Sequence, residues 1–219
     1  MKLMIGLPWY QPDGDTFPVN LDMMMYLGGL QERSRHVARD GFSCIDGLPP
    51  LELSGTDPLA EPTKEDWDRM GELEIMGSNY SRLSLVGKAR ELIVEMALEW
   101  DADYLFWWDA DMRMQHSTFL RLWRHDVPAV GALAFTARDP IHPVIYRVSK
   151  RLDPLSGLEM VENSEVVLDY PRDALISSED FGGDQIAGGG AAVLYNMDIF
   201  KEIPQPWFAS TGCGEDWFF

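Results

Sequence analysis

Cysteine is nearly absent. Only Cys44 and Cys213 occur, far apart and with no Cys-x-x-Cys pair. That excludes a disulfide framework and a thiolate metal knuckle, and makes a reducing cytoplasm the expected setting. Basic residues are scarce too: 18 Lys and Arg stand against 36 Asp and Glu, a formal net charge of −18. A broad nucleic-acid-binding face draws its affinity from counterion release by Lys and Arg, so duplex nucleic acid is disfavoured as a partner, whereas a small local anion pocket is not. No stretch approaches the ~18 consecutive apolar residues of a membrane span. The first apolar run, Leu3 to Leu7, is too short for a signal sequence, and no membrane partner is expected. What remains is ordinary in composition: 219 residues, 46% hydrophobic and 25% charged, fit one soluble domain with room for a full core.

The most apolar stretch is Tyr104-Leu105-Phe106-Trp107-Trp108. Five large apolar residues without alternation predict a strand buried on both faces, as at the centre of a parallel sheet. The run breaks at once into Asp109-Ala110-Asp111. On an extended backbone, residues i and i+2 point the same way. Two carboxylates at the mouth of an apolar strand repel one another unless a cation joins them. A hard divalent ion, Mg²⁺ or Mn²⁺, takes such oxygens and fills its other sites with water and phosphate oxygens. Asp109 and Asp111 are therefore candidate metal ligands, at the strand end where open α/β sheets bind ligands. A plainer reading stands beside this one, because Asp at a strand end also makes Asx turns and helix caps.

Ahead of that run, Lys2 to Leu7 reads as a buried strand stopped by Pro8, with Trp9 and Tyr10 next in the loop. A ring there can stack on a nucleotide base or simply pack under the loop. Asn20 is placed to cap a helix through Glu32 whose apolar side is Leu21, Met24, Met25, Leu27 and Leu30. Phe42 to Ile45 reads as a short strand. Asp46 to Gly77, rich in Pro, Gly and acids, reads as a long surface excursion with one helical turn from Lys64 to Met70. Leu85 to Trp100 is the clearest helix: Val86, Ala89, Ile93, Met96, Ala97 and Trp100 form one apolar stripe. Glu91, Glu95 and Glu99 repeat on what reads as a solvated face. Arg82, Lys88 and Arg90 gather near its start, against the helix dipole. That arrangement suits a shared anion such as phosphate, or simple pairing with nearby acids.

Beyond Asp111, Ser117 is placed to cap a helix through His125, Val127 to Phe135 reads as a buried strand, and Pro143 to Val148 as another. Leu152 to Ser178 is polar and suits a hairpin near an edge. The glycines Gly188, Gly189 and Gly190 precede the apolar strand Ala191 to Tyr195. They permit close backbone approach without matching a Walker or dinucleotide pattern; a sugar ring against bare backbone fits as well. Met197 to Glu202 reads as a short helix, closed by Pro204 and Pro206. The chain stops on Gly214-Glu215-Asp216-Trp217-Phe218-Phe219, an acidic pair placed like a helix start and then uncovered aromatics. The native protein is expected to continue past Phe219.

Taken in order, these stretches resemble a GT-A-fold glycosyltransferase of the family-2-like, bacterial and phage type. The matches are Gly6-Leu7-Pro8 after the first strand, Lys88-Ala89-Arg90 on the helix, Asp109-Ala110-Asp111-Met112 after Trp108, Gly188-Gly189-Gly190 before a strand, and Gly214-Glu215-Asp216 at the end. The resemblance implies an α/β fold, Rossmann-like, with a mostly parallel central sheet flanked by helices. One domain would span residues 1–219, with a nucleotide-sugar half over 1–111 and an acceptor half over 112–219. It further implies that Asp109 and Asp111 act through Mn²⁺ or Mg²⁺ on the diphosphate of a UDP-linked sugar, with Arg90 on the same donor. Pro8 and Trp9 would cradle the base, Gly188, Gly189 and Gly190 would line the sugar, and Asp216, beside Glu215, would be the general base of an inverting hexosyl transfer. The acceptor hydroxyl is unassigned. Two other classes fit an Asp-x-Asp after an apolar strand: a haloacid-dehalogenase-like phosphatase, in which the first Asp is the nucleophile, and a non-catalytic nucleotide- or carbohydrate-binding module. Against the phosphatase, more than a hundred residues precede the motif, and Met112-Arg113 follows where a small hydroxyl residue belongs.

Overall fold

The computed structural model describes residues 1–8, 21–47, 51, 61–80, 86–109, 112, 114–136, 139–152, 154, 159–171, 175–182, 185–188 and 191–208. They form a mixed α/β fold whose main sheet has five strands. Its order is β2 (Glu74–Tyr80), β1 (Lys2–Pro8), β3 (Tyr104–Trp108), β8 (Ala192–Asn196) and β4 (Ala129–Gly131). β1 runs parallel to both neighbours, with Leu3 beside Ile75 on one side and Tyr104 on the other. β8 is antiparallel to β3 and to β4, so four of the five strands share one direction. A second, antiparallel sheet has the order β6 (Glu159–Val166), β5 (Ile145–Leu152), β7 (Gln185–Gly188). No described helix is long and apolar enough to cross a membrane.

Strand alternation sorts the core into two layers. Leu3, Ile5, Phe106, Trp108 and Leu194 face α1 (Leu21–Asp40), α2 (Lys64–Met70) and α4 (Thr118–Trp123). Met4, Leu105, Trp107, Val193 and Tyr195 face the other way, onto α3 (Val86–Glu99) and the region around α5 (Asp198–Glu202). A strand with helices on both faces has no polar side to keep. That is why β3 carries an unbroken apolar run whose last four residues are each 1% exposed or less.

Several elements depart from the sequence reading. α1 continues eight residues past Glu32, because its inner stripe turns polar but stays satisfied. Arg33 pairs with Glu61 at 3.0 Å, while Ser34 donates to the Gln31 carbonyl and accepts from the Leu73 amide at 2.8 Å. The buried stripe is Met23, Tyr26, Leu27 and Leu30; Met25 is 56% exposed. Phe42–Gly47 is a 3₁₀ helix rather than a strand, entered after Gly41 at φ +81. The end of the supposed excursion is β2, an ordinary partner of β1.

α2 falls where it was expected, held by a capping box. The Thr63 amide donates to Asp66 at 2.7 Å and the Asp66 amide donates to the Thr63 hydroxyl at 3.2 Å. Arg124, from the end of α4, reaches the same carboxylate at 2.7 Å. Burial raises the Asp66 pKa, but the hydrogen bonds from Arg124 and Thr63 outweigh it and hold the group below the usual carboxylate range. Ser117 makes no side-chain cap bond on α4. The strand expected over Val127 to Phe135 shrinks to Ala129–Gly131, after which Phe135 meets Pro143 in an isolated bridge. β5 falls on the strand expected over Pro143 to Val148 and runs on to Leu152; of the hairpin expected over Leu152 to Ser178, the described residues show one strand, β6, which pairs back onto β5.

Candidate functional site

The chain steps from β1 outward to β2 and then back across to β3. The reversal of winding at the β1–β3 boundary is where open α/β sheets leave a crevice beyond their carboxyl ends. Gly6 lies beside Trp107 in that pair. Two residues further along, Pro8 ends β1 and Asp109 follows the end of β3. α3 packs close over this corner because Gly6 has no side chain. A Cβ there would stand 2.9 Å from Ile93 Cγ2 and 3.2 Å from Trp107 Cβ.

That close approach delivers Arg90, in the second turn of α3, to the strand end. Its side chain is 1% exposed, its Nη2 donates to Asp109 Oδ1 at 3.1 Å, and its guanidinium lies 5.0 Å from the Trp107 ring centre. A buried guanidinium needs an anion and a polarisable surface, and here it has both. Asp109 is held from behind: its amide donates to the Ala191 carbonyl at 2.8 Å, and its carbonyl accepts from the Met112 amide at 3.0 Å, closing a turn. Its side chain is 34% exposed, so the pair joins a buried cation to an acid that also meets solvent. Such a pair is worth more than the ~0–1 kcal/mol of a surface bridge and less than the ~3–5 kcal/mol lost when a fully buried one is broken.

Of the three cations expected near the start of α3, Arg90 is buried and bound to an acid from the chain itself; Lys88 is exposed, and Arg82 lies outside the described residues. Trp9, Asp111, Gly189, Gly190, Glu215 and Asp216 also lie outside them. Gly188 is the last residue of β7, paired with Ile145 in the second sheet. It lines a cavity of about 470 Å³ along β4, shared with Gly131, Ala132, Leu133 and Ile176. Among the described residues no group of three or more His, Cys, Asp or Glu gathers to hold a metal. Asp109 supplies one hard, partly exposed oxygen donor of the kind Mg²⁺ and Mn²⁺ take, and Asp111 would be the second.

The sequence reading missed Glu91. It is 7% exposed, not solvated, and accepts the Phe208 amide. Its place beside Arg90, with Trp107 between that arginine and Phe208, has no local signal in the sequence. At the opposite, amino-terminal end of β1 and β3 a cavity of about 350 Å³ is lined by Arg69, Asp101, Asp103, Tyr104, Asn196 and Lys201. Burial, with help from nearby Asp126, raises the pKa of the Tyr104 hydroxyl there.

No protein-family model and no curated protein matches the chain. Among solved structures, the crystal structure of A197 from STIV is similar at 12% identity with a TM-score of 0.39, over 99% of this chain and 74% of that one.

Proposed function

We propose that the protein is a GT-A-type glycosyltransferase that moves a sugar from a UDP-linked donor to an acceptor hydroxyl. The observation that carries this reading is the Arg90–Asp109 pair at the carboxyl ends of β1 and β3. A nucleotide-sugar carries its charge on the diphosphate, and the bond that breaks leaves more charge there. A cation fixed in low dielectric stabilises that charge without reorganising as it develops.

In this reading Arg90 is the fixed cation and Asp109 holds it in place. Pro8 ends the strand beside which the base would lie, with Trp9 next to it, and Gly188, Gly189 and Gly190 give the sugar bare backbone to approach. Mn²⁺ or Mg²⁺, held by Asp109 and Asp111, would supply Lewis-acid neutralisation of the leaving diphosphate. Asp216, with Glu215 beside it, would take the acceptor's proton as the acceptor oxygen attacks the anomeric carbon and the diphosphate departs with the bonding pair. General-base help of this kind is worth ~10²- to 10⁴-fold.

The test is a thermal-shift screen of UDP-, GDP- and dTDP-sugars with and without Mn²⁺, followed by transfer assays. A ligand at a hundred times its Kd stabilises by about 2.7 kcal/mol, a rise in Tm of roughly 5–10 °C for a chain of this size. Arg90→Met abolishes the shift. Absence of any shift or turnover across the panel, or phosphate release from phosphosugars in its place, refutes the assignment.

A further inference from the structure

β4 is the outer strand of the main sheet, hydrogen-bonded to β8 on one side only. The Asn196 amide donates to the Pro128 carbonyl at 2.9 Å, and the Ala132 amide donates to the Ala192 carbonyl at 2.8 Å. Bonded pairs alternate along an antiparallel ladder. Pro128, Val130 and Ala132 therefore turn their main chain to β8, while Ala129 and Gly131 turn theirs outward. Among the described residues nothing bonds to the N–H and C=O groups of those two. Along this edge runs the cavity of about 470 Å³, whose described lining takes in every residue from Ala129 to Leu133 and none of β8. It is lined also by Ile186 and Gly188 of β7, itself an outer strand of the second sheet. The slot is shared by one edge strand from each sheet.

Natural sheets guard a free edge with charged side chains, bulges or a covering element. From Val127 to Phe135 no side chain is polar or charged, and Leu133 and Phe135 are 37% and 52% exposed. In a chain of net charge −18, an uncharged, unpaired edge beside an apolar slot marks a surface that a partner covers. We propose that the slot is a docking site for an extended peptide, which adds a strand to β4. Ala129 and Gly131 offer a donor and an acceptor each at the two-residue spacing of an extended backbone, and the three residues of β4 match a segment of about 10 Å. Every second side chain of such a strand turns toward Leu133, Ile176 and Ile186, which selects apolar residues at alternate positions. Charge selects the flanks. Asp126, Glu179 and Asp180, close in the chain to the lining residues His125 and Ser178, are exposed, against the one cation Arg147 level with Ile186 on β5. The peptide accordingly carries Lys or Arg at its ends. This goes beyond the transferase reading and does not depend on it.

The probe is a fluorescein-labelled heptapeptide in which valine alternates with threonine between terminal lysines, titrated against the full chain by fluorescence anisotropy. It binds more tightly than the same peptide with terminal glutamates. Methylating its valine and threonine backbone nitrogens weakens binding at least about tenfold, as loss of the main-chain pairing requires. Gly131→Pro deletes an outward N–H, a change that a free strand edge tolerates, and weakens binding by about the same factor. Gly131→Ala keeps the N–H, its methyl meets nothing closer than 3.7 Å, and it binds within about twofold of the parent. Failure of the lysine peptide to bind, or binding indifferent to both Gly131→Pro and N-methylation, overturns the proposal. If Gly131→Pro does not fold, the N-methylated peptide on the parent protein decides alone, and undiminished binding is fatal. Self-association in sedimentation that Gly131→Pro abolishes, with no peptide bound, gives the edge to a second copy of the chain and overturns the proposal as well. A parent protein that binds the peptide but turns over no nucleotide-sugar supports the docking site and retires the transferase reading alone.

Discussion

The tripeptide Asp-Ala-Asp stands at both ends of β3, as Asp101-Ala102-Asp103 before it and Asp109-Ala110-Asp111 after it. The first copy is spent on the backbone. Asp101 takes φ +56 to end α3, with its amide and that of Ala102 bonded to the Leu98 and Ala97 carbonyls in a Schellman arrangement. Asp103 Oδ2 accepts the Lys2 amide at 2.7 Å and so locks the start of β1 to the start of β3. In the second copy, Asp109 turns its carboxylate to a buried arginine and to solvent. Identical letters do unlike work because the two ends of a parallel strand differ: one receives a helix terminus, the other ends where the winding reverses, the place at which open α/β sheets take ligands.

Substituting one copy at a time separates the two roles. Asp109→Ala is expected to cut nucleotide-sugar turnover at least about a hundredfold and to erase the Mn²⁺-dependent rise in Tm, whereas Asp103→Ala should lower stability by about 1 kcal/mol with both readouts intact. Equal losses of binding from the two would collapse the distinction. Gly6→Ala sharpens it from the packing side. Its new methyl meets Ile93 and Trp107 below normal contact, pushes α3 and Arg90 away from Asp109, and should cost about 1–3 kcal/mol in urea unfolding together with donor affinity. The smallest effect belongs to Asp101→Gly. Relief of the left-handed conformation, offset by greater freedom in the unfolded chain, should move stability by no more than about 0.5 kcal/mol, with turnover unchanged.

The parts of the fold that could be read from the sequence are those where one residue type repeats for one physical reason. β3 is evident from its unbroken apolar run, α2 is legible residue for residue, and α3 to within one residue at each end. β2 was hidden because it is an edge strand with Gly77, Ser78 and Asn79 in its second half, residues that leave no period-two signal. The sequence pattern ends α1 too soon because Arg33 and Ser34 occupy buried turns that hydrophobicity does not mark. At the site, the sequence marks Arg90 and Asp109 singly but carries no sign of their contact. They come from different elements and meet only because Gly6 lets α3 settle onto β1. Glu91 reads as solvated because periodicity groups it with Glu99, while Phe208, far along the chain, covers one and not the other.

β8 lies between β3 and β4, and this has a consequence for timing. During synthesis the most apolar strand of the protein is made early, with β1 to pair one flank and nothing yet for the other. Until Ala192–Asn196 leaves the ribosome, β3 presents a bare hydrogen-bonding edge of the kind that recruits foreign strands. Asp109 meanwhile lacks the Ala191 carbonyl that anchors its amide. A chain interrupted before this late strand would be both sticky and unable to assemble its acidic lip, so any small molecule that requires Asp109 doubles as a reporter of completed folding.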